Sequence, residues 1–211
     1  MSKEIAADLM SIGAVIFSPE KPFIWASGIK SPVYCDNRLT LTSTKVRSNI
    51  ENALAETVRE KFPECELIMG TSTAGIPHAA IVAHILDLPM GYVRSGSKGH
   101  GRKNRIEGKL SKGDKVVVVE DLISTAGSVL EVVKVLREAK ADVLGIISIF
   151  TYGMEIGLER MKEANVINYS LTNFDELAES AFELGNISKN DIGNMLRFRN
   201  NPSDEGWMGK K

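Results

Sequence analysis

Residues 116–128 read VVVVEDLISTAGS, and the order of residue types in that run decides the fold. Four consecutive valines are β-branched and apolar, the composition of a strand buried on both faces. Glu120 and Asp121 stand side by side at its end, and the turn Ser124-Thr125-Ala126-Gly127-Ser128 then opens a helical pattern. Two carboxylates against an apolar strand lose hydration and repel each other, so solvent or a ligand must satisfy them. The turn supplies hydroxyls, backbone N–H groups and the positive end of the next helix, which together suit a phosphate. Acids for sugar hydroxyls beside a phosphate cradle point to a ribose-phosphate ligand. The plainer reading is an ordinary strand–turn–helix crossover, and the paired acids in register with a small-residue turn weigh against it.

The flanking sequence frames this run. Short apolar strands are expected at 67–70, 90–94, 115–119, 143–150 and 166–171, alternating with helices at 76–86, 128–139 and 154–163. That alternation predicts an α/β fold with a central, mostly parallel sheet flanked by helices. Upstream, Val46, Ile50, Leu54 and Val58 recur at helical spacing over 44–62 until Pro63 stops them, and Ile5, Leu9 and Ile12 mark an amphipathic first helix. Residues 17–42 are extended and rich in turns. Asn173 is set to cap a helix over 175–184, and Ser188 with Asp191 gives a capping-box pattern for 192–199. Residues 200–211 are polar apart from Trp207 and Met208 and are expected to be mobile. In α/β sheets ligands sit beyond the carboxyl ends of the strands, where every chemically suggestive segment here falls.

The 211 residues, 43% hydrophobic and 25% charged, suit one soluble domain over 1–211. A net charge of −1 gives no overall field toward nucleic acid or an anionic membrane, so neither is an expected partner. Cys35 and Cys65 have neither metal-ligand spacing nor a disulfide framework, no apolar run approaches the roughly 20 residues that span a bilayer, and the start lacks a signal peptide's features. A cytoplasmic location is the expectation. His78 and His84 lie six apart on a helix, too far round the axis to share a metal, and are read as packing or surface residues.

Three further stretches carry chemistry. Residues 70–77, GTSTAGIP, follow a strand and open a helix. They lack the Lys-Ser/Thr of a Walker A loop, yet Thr71, Ser72, Thr73, Ala74 and Gly75 offer small side chains and free N–H groups to an anion. A tight turn using glycine for geometry alone reads equally well in isolation. Residues 94–102, RSGSKGHGR, interleave Arg94, Lys98 and His100 with glycine, which neither holds a helix nor fills a core. A mobile basic loop of that kind suits closing over a polyanion, although a solvated charged loop is the blander alternative. Near the start, residues 27–34 read SGIKSPVY and are followed by Cys35-Asp36-Asn37-Arg38.

Together these motifs resemble the type I phosphoribosyltransferases, enzymes that use phosphoribosyl pyrophosphate (PRPP), and among them the bacterial orotate phosphoribosyltransferases. The resemblance covers roughly residues 5–200, with four motifs in family order. It implies a type I phosphoribosyltransferase fold with a small hood from residues 1–42, and transfer of the phosphoribosyl group from PRPP to N1 of orotate in pyrimidine synthesis. It implies PRPP binding by Arg94, Lys98, His100, Glu120, Asp121, Leu122, Ile123, Ser124, Thr125, Ala126, Gly127 and Ser128. Thr71 through Gly75 would hold pyrophosphate, Ser124 would contact orotate, and Lys98, His100 and Asp121 would be catalytic. It further implies Mg²⁺ carried mainly by PRPP and water, with no direct protein ligand assigned, and a homodimer whose basic loop serves the neighbouring site. The sequence departs from the enterobacterial pattern at Ala26, Thr73-Ala74, Ser95 and Tyr152-Gly153, which bears on the base contacts. Transfer to another base, and a PRPP-sensing regulator on this fold, remain the rival readings.

Overall fold

A computed structural model of the chain describes residues 1–25, 28–96 and 105–208. In chain order they form α1 (Ser2–Ser11), β1 (Val15–Phe17), β2 (Phe23–Ile24), β3 (Lys30–Ser31), β4 (Val33–Cys35), α2 (Thr44–Lys61), β5 (Leu67–Thr71), α3 (Gly75–Leu86), β6 (Met90–Val93) and β7 (Ile106–Glu107). There follow β8 (Lys115–Ile123), α4 (Gly127–Glu138), β9 (Asp142–Thr151), α5 (Glu155–Glu163), β10 (Asn168–Asn173), α6 (Phe174–Glu183) and α7 (Lys189–Asn200). Six strands make the central sheet in the order β10-β9-β8-β5-β6-β7, all neighbours parallel except the antiparallel β6–β7 pair.

The valine run explains why helices cover both faces. Successive side chains of a strand point to opposite sides. Accordingly Val117 and Val119 join the cluster that holds Ile50 and Leu54 of α2 and Val82 of α3. Val116 and Val118 join the opposite cluster, with Val129 and Val133 of α4 and Met161 of α5. From β5 the chain runs outward to β6 and later returns to β8 on the other side of β5. The order therefore reverses between β5 and β8, and a crevice opens beyond their carboxyl ends, between the starts of α3 and α4.

The expected helices and strands are present, with informative shifts. The central strand runs on to Ile123 instead of ending at Val119, and Glu120 pairs with Ser148 of β9 within the ladder. The acids thus belong to the strand itself. Strand β10 begins at Asn168 and not at Val166, because the Val166 N–H is still bonded to the Met161 carbonyl behind α5. Asn173 caps α6 and Ser188 forms a capping box with Asp191, as the spacing predicts.

The polar tail is the clearest difference. Glu205–Met208 forms a 3₁₀ turn, and Trp207 is only 2% exposed. Its ring packs on Phe198, which meets Trp25, and Trp25 in turn packs edge-on to Tyr152 at 5.1 Å. Lys30 reaches Glu205 at 2.8 Å. The C-terminal turn thereby ties down the N-terminal segment, whose short hairpins are β1–β4 and β2–β3. His78 is also more than a packing residue. It is fully buried on α3, and its Nδ1 shares a 2.5 Å hydrogen bond with Glu51 of α2.

Candidate active site

Glu120 is 6% exposed, and its carboxylate is satisfied by specific donors. The Thr71 hydroxyl donates to Oε1 at 2.7 Å, and the Asp121 backbone N–H donates to the same oxygen at 3.0 Å. Burial, followed by the adjacent Asp121 carboxylate, pushes the Glu120 acid up to about 8 from its ordinary 4.5. Asp121 is only half-buried and its side chain lines the open cavity. One acid is therefore held neutral and fixed near neutral pH while its neighbour stays accessible, an arrangement suited to gripping two vicinal hydroxyls.

The turn beyond β8 is shaped from below. Ala126 takes a left-handed φ of +60° and precedes α4, and no side chain caps that helix. The first N–H groups of α4 consequently lack intrahelical acceptors and are available to an anion. The turn's carbonyls are engaged on the far side. Arg160 of α5 donates to the Thr125 carbonyl at 3.0 Å, and Gly157 lies so close beneath that a Cβ there would meet the Ser124 carbonyl at 2.6 Å. Ile123 and Ala126 are buried in the core, so within the predicted run they offer only backbone.

The loop 71–75 lies beside it. Ser72 is anchored by its hydroxyl to the Val93 carbonyl at 2.7 Å, and the Ser72–Thr73 peptide is cis. Helix α3 also starts without a side-chain cap. Gly75 is required by space, since a Cβ would strike Thr71 Oγ1 and approach the Val119 carbonyl to 2.5 Å. That close approach sets Thr71 against Glu120, joining the two loops through one hydrogen bond.

A cavity of about 400 Å³ opens between these loops, lined by Ser72, Thr73, Ala74, Glu120, Asp121, Leu122 and Ser128 together with Cys35, Asp36 and Arg38. The last three come from the N-terminal segment, to which sequence reasoning assigned no individual role. Buried Asn37 fastens that segment down by donating from Nδ2 to the Asp121 carbonyl at 2.7 Å. The signal available in the sequence was a charged, amide-bearing stretch directly after the SGIKSPVY motif. Arg160 and Gly157 were missed because helix α5 carries no motif.

Arg94 lies at the end of β6, where its guanidinium pairs with Glu107 at 2.9 Å, and it does not line the cavity. Lys98 and His100 lie outside the described residues. Among the described residues no three His, Cys, Asp or Glu side chains gather to hold a metal, and no helix is long and apolar enough to cross a membrane.

Comparison with known proteins adds a family. Residues 41–179 match the phosphoribosyl transferase domain family. The chain is 55% identical over 208 residues to the orotate phosphoribosyltransferase of Bacillus cereus (strain B4264), covering 99% of each chain. The same figures hold for that of Bacillus anthracis. It resembles the crystal structure of orotate phosphoribosyltransferase from Aeropyrum pernix with a TM-score of 0.75 and 31% identity, over 87% of this chain and 99% of that one. Leishmania donovani UMP synthase shares the fold with a TM-score of 0.80 at 24% identity, over 94% of this chain and 42% of that one.

Proposed function

The chain belongs to the phosphoribosyltransferase family, among the orotate phosphoribosyltransferases, and from that premise we propose that it transfers the phosphoribosyl group of PRPP to N1 of orotate. The products are orotidine 5′-monophosphate and pyrophosphate. The observation that carries the reading is the half-open acidic pair of Glu120 and Asp121 standing between two uncapped helix starts on one cavity.

In the reaction the bond from the anomeric carbon to pyrophosphate breaks, its electron pair leaves with the pyrophosphate, and the orotate nitrogen supplies the new pair. Positive charge develops on the ribose and negative charge on the leaving group, so catalysis is chiefly positioning and charge stabilisation. Asp121 and the fixed, neutral Glu120 hold the ribose hydroxyls. The turn from Ser124 to Ser128 receives the 5-phosphate on the N–H groups of α4, with Ser124 beside the base. Loop residues Thr71 to Gly75 receive pyrophosphate through backbone N–H groups. Lys98 and His100 neutralise the departing charge, joined by Arg94 when it turns from Glu107 toward the cavity, and imidazole is a side chain able to supply a proton in this chemistry.

Mg²⁺ suits this cavity, because a hard cation takes oxygen ligands and retains water, and the Asp121 carboxylate on the cavity wall could meet it through such water. Carried mainly by PRPP and water, it would supply charge neutralisation of the pyrophosphate. The protein acts in the cytoplasm as a homodimer, with residues 1–42 forming a hood over the base and the basic loop of one subunit reaching its neighbour's site.

Loss of orotate ultraviolet absorbance on adding PRPP and Mg²⁺ tests the reaction; persistence of that absorbance refutes it. Mixing Lys98→Ala with Asp121→Ala subunits tests the shared loop. Random pairing should restore about a quarter of normal activity, and no recovery after verified exchange assigns the loop to its own subunit.

A further inference from the structure

The reaction as described leaves Arg38 without a task. It is the one basic side chain among the described residues lining the cavity, alongside the carboxylates of Asp36, Glu120 and Asp121. Both substrates are anions, so a cavity walled by Asp36 and Asp121, with Glu120 held neutral, needs a compensating cation where the anionic groups approach. Arg38 is held ready for that task. It donates from Nε to Asp36 Oδ1 at 2.7 Å and from Nη2 to Oδ2 at 2.6 Å, while its backbone N–H caps the same carboxylate at 3.1 Å. This side-on fork uses two of the guanidinium's five N–H groups. Nη1 has no partner among the described residues, which leaves the end-on edge of the fork uncommitted.

The Arg38 side chain is 66% exposed, and an ion pair so open to water adds little to stability. Its bidentate geometry is better understood as orientation. Asp36 fixes the plane of the guanidinium, and Asn37, between them, ties the segment to the Asp121 carbonyl at 2.7 Å. The cation thus rides at a set distance from the acidic strand end.

We propose that Arg38 is a specificity-determining residue that grips an oxyanion of the substrates with the open edge of its fork, while Asp36 orients it. The inference rests on the reading of this cavity as the PRPP and orotate site. Two oxyanions share the required planar, two-oxygen chemistry: the carboxylate of the base and the pyrophosphate of the donor. The first would let the enzyme distinguish orotate from a base that lacks a carboxylate.

The test uses the full chain with Arg38→Met and Arg38→Lys, measuring kcat and both KM values, with uracil as the alternative base. Loss of a charge-assisted pair corresponds to about a tenfold or greater rise in KM. In Arg38→Met that rise is expected with melting unchanged, and partial recovery is expected in Arg38→Lys. A rise confined to orotate, with uracil turnover unaffected, identifies the base carboxylate. A rise confined to PRPP, with weaker pyrophosphate inhibition, identifies the donor. Both KM values within about twofold of the unsubstituted protein, or a fall in kcat alone, overturns the proposal. The unsubstituted protein separates the two layers: normal turnover with indifferent variants rejects Arg38 alone, and failure of its own turnover rejects both.

Discussion

Replacing Glu120 by glutamine (Glu120→Gln) asks what the buried acid costs the fold. Its acid is pushed from 4.5 up to about 8, first by burial and then by Asp121. Between those values the folded chain keeps a proton that the unfolded chain has released. The contribution to stability is therefore complete below pH 4.5 and is lost as pH rises to about 8. Each pH unit in that window is worth about 1.4 kcal/mol. The loss is thus roughly 3 kcal/mol at pH 7 and has a ceiling on the order of 5 kcal/mol above pH 8. Glutamine keeps an oxygen for the Thr71 hydroxyl and the Asp121 N–H, and its amide can donate toward the Asp121 carboxylate as a protonated acid would. Without substrates, the variant should melt with the unsubstituted protein near pH 4.5 and above it by roughly 6–12 °C at pH 7, taking about 2–4 °C per kcal/mol for a chain of this size. Parallel melting curves from pH 4.5 to 8.5, or a gap that narrows as pH rises, would refute the reasoning.

Three other perturbations have outcomes set by contacts described above. Trp207→Ala empties a fully enclosed site against Phe198 and should cost about 3–5 kcal/mol by chemical denaturation. His78→Ala leaves Glu51 buried without its hydrogen-bond partner. A loss of about 3–5 kcal/mol is expected, and His78→Asn, whose amide nitrogen can stand where Nδ1 does, should recover part of it. Gly157→Ala drives a methyl into the Ser124 carbonyl and should cost about 1–3 kcal/mol. Because the displaced turn is the phosphate cradle, steady-state kinetics should show a higher KM for PRPP.

The valine run made the sheet legible, since only a strand covered on both faces tolerates four consecutive buried β-branched residues. The acids and the small-residue turn made the sugar-phosphate end legible, because charge and missing side chains are written directly in composition. What escaped depended on tertiary position. Nothing local in residues 35–38 announces that Asn37 will reach Asp121 across 84 positions, and Arg160 supports Thr125 from a helix with no distinguishing pattern. Trp207 looked like an isolated aromatic in a polar tail because its partners, Phe198 and through it Trp25, come together only in the folded chain. Strand β8 outran its expected end for a related reason. Glu120 has the polarity of a terminator, and the distant Thr71 hydroxyl together with the Asp121 N–H makes it acceptable inside the ladder.

The tie between Lys30 and Glu205 joins positions 175 apart, and it has a consequence for the order of synthesis. A nascent chain makes Lys30 long before Glu205, so this fastening of the amino-terminal hairpins comes later than the one Asn37 makes to Asp121. Contacts that span so much sequence are also slow to find each other during refolding. Removing Glu205–Met208 should therefore leave the β-sheet intact while loosening the hairpin that carries Lys30, with Asn37 still holding its segment to Asp121.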